Sequence, residues 1–190
     1  MKNLFNRGLV ALAAVLALSA CDLDLTNPNA LSEEDVLRTA NGIISLSVGV
    51  QKQYATSVAE WVRAPALVTD EWGTNTGSLT SYRSLLTGDD FEATFAVVES
   101  PWASTYRVVR SANAVLANVD EVGLDAGTAT GIRATAKLYK AMALGRAILQ
   151  YEEVPVDVTV EFAVPQPREV VLDSVLALLE SARAALATRP

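Results

Sequence analysis

Apolar residues spaced three and four apart run through most of this chain, a spacing that matches one face of an α-helix and not the alternating faces of a strand. Val36, Ala40, Ile43, Ser47, Val50, Tyr54, Val58 and Trp61 form the first stripe. It predicts an amphipathic helix from Ser32 to about residue 60. Ser32 is placed to cap it, Asp35 sits at the third helical position as in a capping box, and Leu31 and Val36 are spaced for a hydrophobic staple. Gly42 and Gly49 weaken the helix locally. Pro65 is expected to end it, or to open a second, shorter helix carrying Leu67 and Val68.

From Asp70 to about Ser100 the periodicity fails. Gly73, Gly77 and Gly88 punctuate a stretch rich in Thr, Ser and Asn, and Leu79, Tyr82, Leu85 and Leu86 suffice only for a brief helix. So long an irregular segment inside a compact domain is usually functional or disordered. Helix resumes at Ser100-Pro101, read as a cap followed by proline at the first helical position. Its stripe is Tyr106, Val109, Asn113, Leu116 and Val119, and its end lies near Gly123. Asn113 on that stripe is expected to be a buried amide bonded to backbone, and Trp61 and Trp102 are expected in the core.

The next helix, Thr128 to Tyr151, carries Ala134, Ala136, Ala141, Ala143, Gly145 and Ala147, small residues that let a neighbouring helix come close. Val154-Pro155-Val156 ends it and runs extended through Val160. Pro165 and Pro167 precede a last helix with the widest apolar arc, Val171, Val175, Leu178, Leu179, Ala182, Ala185 and Leu186. These elements predict an all-α, tetratricopeptide-like helical-hairpin scaffold with one long irregular loop. The breadth of the last arc calls for packing partners on more than one side, so the chain is expected to be the first part of a longer protein.

Ahead of the helices, residues 1–20 have the layout of an export signal: Lys2 and Arg7, an apolar run from Leu9 to Leu18, then Ser19 and Ala20. That run is shorter than the roughly 20 residues a membrane-spanning helix needs. Leu18-Ser19-Ala20-Cys21 matches the lipobox at which a lipoprotein is cleaved, so Cys21 is expected to become the acylated first residue and to anchor the chain in a membrane. Each buried methylene contributes roughly 0.8 kcal/mol, which makes two or three acyl chains a stable anchor. Residues 21–31 then form a lipidated tether with a turn at Asn27-Pro28-Asn29, and 32–190 the helical domain.

Loss of the signal changes the net charge from −7 to −9, because Lys2 and Arg7 go and 13 basic residues face 22 acidic ones. So acidic a chain offers no basic face to a phosphate backbone, which disfavours nucleic-acid binding. It has no histidine, and Cys21 is its only cysteine. With that thiol acylated, Ser-His, Cys-His and His-ligated metal chemistry are excluded from the chain by itself. Glu33-Glu34-Asp35, Asp89-Asp90 and Glu152-Glu153 are acidic clusters, yet no calcium loop, phosphate-binding glycine motif or nucleophile elbow accompanies them. No catalytic residue, metal ligand or cofactor is therefore assigned, and glycoside hydrolysis by paired carboxylates ranks third among the readings.

After the lipobox comes Leu25-Thr26-Asn27-Pro28-Asn29, and further on Leu67-Val68-Thr69-Asp70-Glu71. In this order the two segments resemble, respectively, the opening of the family of SusD/RagB-like nutrient-binding lipoproteins and the end of its second helix. Trp102 through Tyr106 to Ser111-Ala112-Asn113-Ala114-Val115-Leu116 looks like its Ala-Asn helix. Tyr139 to Leu149 with Val154-Pro155-Val156 resembles the helix leading into a Val-Pro turn, and Pro165 to Val170 with Asp173 to Ala182 its next helix. The chain departs from the family at Ile132 to Ala141 and at Glu152-Glu153, which replaces a glycine, and is well under half the usual length. The resemblance implies an outer-membrane, surface-exposed lipoprotein that captures an oligosaccharide or peptide for a TonB-dependent, SusC-like transporter, with part of its ligand surface absent here. A helical interaction scaffold without a small-molecule ligand is the alternative.

Within the irregular loop, Trp72, Asn75, Tyr82 and Arg83, beside Asp70 and Glu71, are the candidate ligand contacts. Aromatic rings stack on the apolar faces of sugars while Asn, Asp and Arg bond hydroxyls. The plainer alternative is that Trp72 and Tyr82 pin the loop to the helices.

Overall fold

The computed structural model describes residues 32–89 and 92–188. The signal segment, Cys21, the tether to residue 31 and Asp90 lie outside the described residues, and so does the Leu31 side of the expected staple. The fold is all-α. In chain order the elements are α1 (Glu33–Leu37), α2 (Ala40–Val68), α3 (Thr80–Thr87), α4 (Ala96–Asn118), α5 (Ala126–Gln150), β1 (Glu153–Val154), β2 (Gln166–Pro167) and α6 (Arg168–Ala187).

The first stripe is two helices, not one. Thr39 takes an extended conformation, its Oγ1 accepts the Gly42 N–H at 3.1 Å, and its hydroxyl donates to the Asp35 carbonyl at 3.2 Å. A short hydroxyl that bonds nearby backbone competes with the helix it interrupts and caps the one that follows. The junction is tight: a Cβ on Gly42 would collide with the Val36 carbonyl and sit 2.7 Å from Thr39 Oγ1. The apolar period of Val36, Ala40 and Ile43 crosses this break unchanged, which is why spacing predicted a single helix.

Pro65 neither ends α2 nor starts another helix; α2 runs through it to Val68. A helical proline lacks the N–H that would bond the carbonyl four residues earlier, here that of Trp61. Gln150 Nε2, from the last residue of α5, donates to that carbonyl at 2.6 Å. The Trp61 ring is 3% exposed, and its Nε1–H is shared between Thr105 Oγ1 at 3.2 Å and the Pro101 carbonyl at 3.3 Å.

Pro101 is also inside a helix rather than at its first position. α4 starts at Ala96, where the Val98 and Glu99 N–H groups turn back onto the Phe95 carbonyl at 2.7 and 3.0 Å. Tyr151, just past α5, donates its hydroxyl to the Val98 carbonyl at 2.6 Å, in the turn that Pro101 disturbs. The expected long loop is thereby divided by α3 and shortened by the early start of α4. α4 itself stops at Asn118, before Gly123, which turns the chain at φ +70°. Asp125 then caps α5 by accepting the Thr128 N–H at 2.9 Å.

Helix α5 is the shared partner of the fold, packed against α4, α6 and α2. Its Ala134, Ala136, Ala141, Ala143 and Ala147 are all buried, as close helix approach requires. The main core gathers Ile43 and Val50 of α2, Val108, Val109 and Val115 of α4, Leu144 of α5, Val154 of β1 and Val171 of α6. Each such side chain contributes about 1.5–3 kcal/mol by burial, whereas exposed pairs such as Arg38–Glu34 and Arg183–Glu180 contribute about 0–1 kcal/mol. Apolar packing therefore outweighs the ion pairs. The extended run expected through Val160 is confined to β1, which pairs antiparallel with β2 (Glu153 with Pro167, Val154 with Gln166) and so brings α6 back onto α5. α6 buries Val171, Val175 and Ala182 but leaves Val170, Leu172, Leu176 and Leu186 exposed. No helix among the described residues is long and apolar enough to cross a membrane.

Two consequences are measurable by urea denaturation. Gln150→Leu strands the Trp61 carbonyl and is expected to cost about 1–3 kcal/mol; in a Pro65→Ala background, where residue 65 regains its N–H, the same substitution is expected to cost less. Gly42→Ala is expected to destabilise by about 1–3 kcal/mol through overpacking, reversing the usual helix advantage of alanine over glycine.

Candidate functional site

The loop after α2 is built by backbone. Asp70 adopts φ +61°, a left-handed conformation that a short polar side chain tolerates better than most. It reverses the chain so that the Trp72 N–H reaches the Ala66 carbonyl at 2.9 Å. The Trp72 ring is 46% exposed. Asn75 Oδ1 accepts the Gly77 N–H at 2.9 Å, closing an Asx turn, and the Asn75 N–H donates to Ser78 Oγ at 2.9 Å. Arg83, on α3, has its guanidinium 3.5 Å from the Thr76 carbonyl and from Thr80 Oγ1, so it also steadies the loop.

Tyr82 faces the other way. It is half-buried against a small cluster of Leu67, Leu85 and Val97, with the Arg63 guanidinium 5.7 Å from its ring centre. Arg63 is in turn paired with Glu60 at 2.8 Å. Of the four candidate contacts, Tyr82 thus packs the loop onto the scaffold, Asn75 and Arg83 shape its backbone, and Trp72 presents an open aromatic face.

A second polar group lies at the junction of α4, α5 and the segment after β1. Asn113 is half-buried, and its Oδ1 accepts from Lys140 Nζ at 2.8 Å, which corrects the expectation of a backbone partner. Burial holds the Lys140 ammonium below the usual lysine range, and the nearby Asp157 carboxylate opposes that shift. Tyr106 donates to the Pro155 carbonyl at 3.0 Å, and burial, reinforced by Tyr151, raises its phenol. Trp102 is half-buried rather than fully in the core, with ring centres 4.8 Å from Tyr106 and 5.1 Å from Tyr151. The position of Lys140 on the inward side of α5 was available in the sequence, as a lysine three and four residues from buried alanines.

Among the described residues no group of three or more acidic, histidine or cysteine side chains is gathered to hold a metal ion. Glu33, Glu34 and Asp35 form the first turn of α1, where negative charge favours the helix dipole. No family model, curated protein or solved structure matches this chain.

The tyrosines at the junction give a pH signature. A phenol whose folded pKa lies above its usual 10.0 adds stability that is complete below about pH 10 and lost as pH rises through the folded value. Lys140, lowered from 10.5, acts with the opposite sign, relieving its burial cost as it sheds its proton. Tyr106→Phe is expected to lower the urea midpoint at neutral pH by the loss of the Pro155 bond, about 0.5–1.5 kcal/mol. Between about pH 9 and pH 11 it is expected to lose less stability than the parent does.

Proposed function

We propose that this chain is a lipid-anchored nutrient-capture protein of the outer membrane, SusD/RagB-like, which takes up a glycan or peptide beside a TonB-dependent transporter. Cys21 is its lipidation site in this reading, and Trp72 its leading ligand contact, assisted at the loop by Asn75, Tyr82 and Arg83. The helix pairs α4 with α5 and α5 with α6 are read as tetratricopeptide-like hairpins.

The observation that carries the reading is that the separate segments bearing the resemblance meet in space. Tyr106 of the Ala-Asn helix bonds Pro155 of the Val-Pro turn, and Asn113 of the same helix accepts from Lys140 of the helix leading into that turn. Ordered motifs that also contact one another support one architecture better than isolated matches do. The exposed Trp72 ring on a loop fixed by its own backbone supports ligand stacking at that point.

A second reading, an interaction scaffold with no small-molecule ligand, is favoured by the apolar row Leu172, Leu176 and Leu186 left open on α6. Polysaccharide pull-down beside co-purification from solubilised membranes separates the two. Sugar retention supports capture; transporter recovery without sugar supports the scaffold. Within the first, Trp72→Ala is expected to weaken glycan retention in affinity electrophoresis while the melting temperature holds, because an exposed ring leaves no core cavity. Equal retention by the variant would remove the loop as a sugar contact.

A further inference from the structure

A groove of about 400 Å³ lies where α1 crosses α2 and α4, away from the loop that carries Trp72. Its apolar floor is Val36 and Leu37 of α1, Leu46 of α2 and Ala114 of α4. Arg107 and Arg110, three residues apart and therefore neighbours on one face of α4, stand along it.

Among the described arginines, Arg38, Arg63, Arg133 and Arg183 have a carboxylate within ion-pair distance. Arg107 and Arg110, like Arg83, Arg146 and Arg168, have none. Arg107 makes a long bond to Ser104 Oγ at 3.3 Å on its own helix, which steadies the side chain without neutralising it. Both groove arginines are exposed, and what sets them apart is their placement, two arginines one turn apart beside an apolar floor in a chain of net −7.

We propose that this groove binds a small amphipathic carboxylate, with its charge held by Arg107 and Arg110 and its apolar body on Val36, Leu37, Leu46 and Ala114. The guanidinium fork matches carboxylate geometry in a paired, planar way. The volume suits a small-molecule site. Glu33 sets the charge of the ligand: it lines the same groove, and with the two arginines gives a net single positive charge, so a monoanion is favoured over a dianion such as phosphate. Ser111, also on the groove wall, offers a hydroxyl to the second carboxylate oxygen. This site depends neither on the loop nor on the capture reading.

The test is calorimetric titration of the purified full chain, with injection of each probe into the same buffer as the blank. The probes are 3-phenylpropionate, its neutral amide and inorganic phosphate. Saturable binding of the carboxylate is expected, with the amide and phosphate each at least about tenfold weaker, roughly 1.4 kcal/mol. Arg107→Gln with Arg110→Gln is expected to abolish carboxylate binding, whereas Arg146→Gln, outside the groove, leaves it unchanged. Circular dichroism melting of each variant establishes that it is folded. Should the double variant lose its fold, Leu46→Gln serves in its place and is expected to weaken the carboxylate and leave phosphate unaffected. The proposal is overturned if the amide or phosphate binds as tightly as the carboxylate, if a folded double variant retains binding, or if the parent shows no saturable binding up to about 10 mM, where the free energy falls below about 3 kcal/mol.

Discussion

The carbonyl of Trp61 is deprived of its helical donor by Pro65, and the way that deficit is met ties three of the helices together around the apolar core. A buried acceptor without a partner costs about as much as a lost hydrogen bond, so the end of α5 is held where Gln150 can reach it. The next residue, Tyr151, is then placed to bond the carbonyl of Val98 ahead of the second helical proline, Pro101. The Trp61 ring closes the circuit by donating to Thr105 and to Pro101 itself. Three helices are tied at two proline turns, and none of the bonds is local in sequence. Once α5 ends there, Val154 enters the core, β1 pairs with β2, and α6 starts against α5.

That arrangement also explains which parts of the fold were legible in the sequence. The four long helices were, because their apolar stripes have the right period and alanines in α5 mark a crowded helix. Their ends were not. Pro65 and Pro101 read as boundaries because a proline removes a local bond; at Pro65 the missing bond is replaced by a donor 89 residues away, and at Pro101 the neighbouring Val98 carbonyl is held by one 53 residues away. The Thr39 break was hidden for the opposite reason, since hydrophobic spacing passes over it while a hydroxyl and a glycine contact decide it. Apolar spacing set the elements, and side-chain hydrogen bonds both near and far in sequence set where they break and where they continue.

The candidate site divides in the same way. An irregular stretch with Trp72, Asn75, Tyr82 and Arg83 was legible as a loop of mixed aromatic and polar character, but composition could not tell contacts from supports. Asn75 spends its side-chain oxygen on Gly77, Arg83 is directed at Thr76 and Thr80, and Tyr82 joins a small apolar cluster. The Asn113–Lys140 pair escaped because a lysine in an amphipathic helix ordinarily marks a solvated face. Here the long stem brings the ammonium back to an amide on α4.

The loop's supports bear on what Trp72 can do. A ring held by packing has no face left for a ligand, and a ring on a slack loop must be ordered when it binds, at about 0.5–1.5 kcal/mol for each side chain immobilised. Trp72 falls between these limits. Its own N–H is fixed to Ala66, the turn before it is set by the left-handed Asp70, and the turn after it is closed by Asn75. The backbone on both sides is therefore arranged while the indole stays open. Stacking on an apolar sugar face needs little more than such a platform.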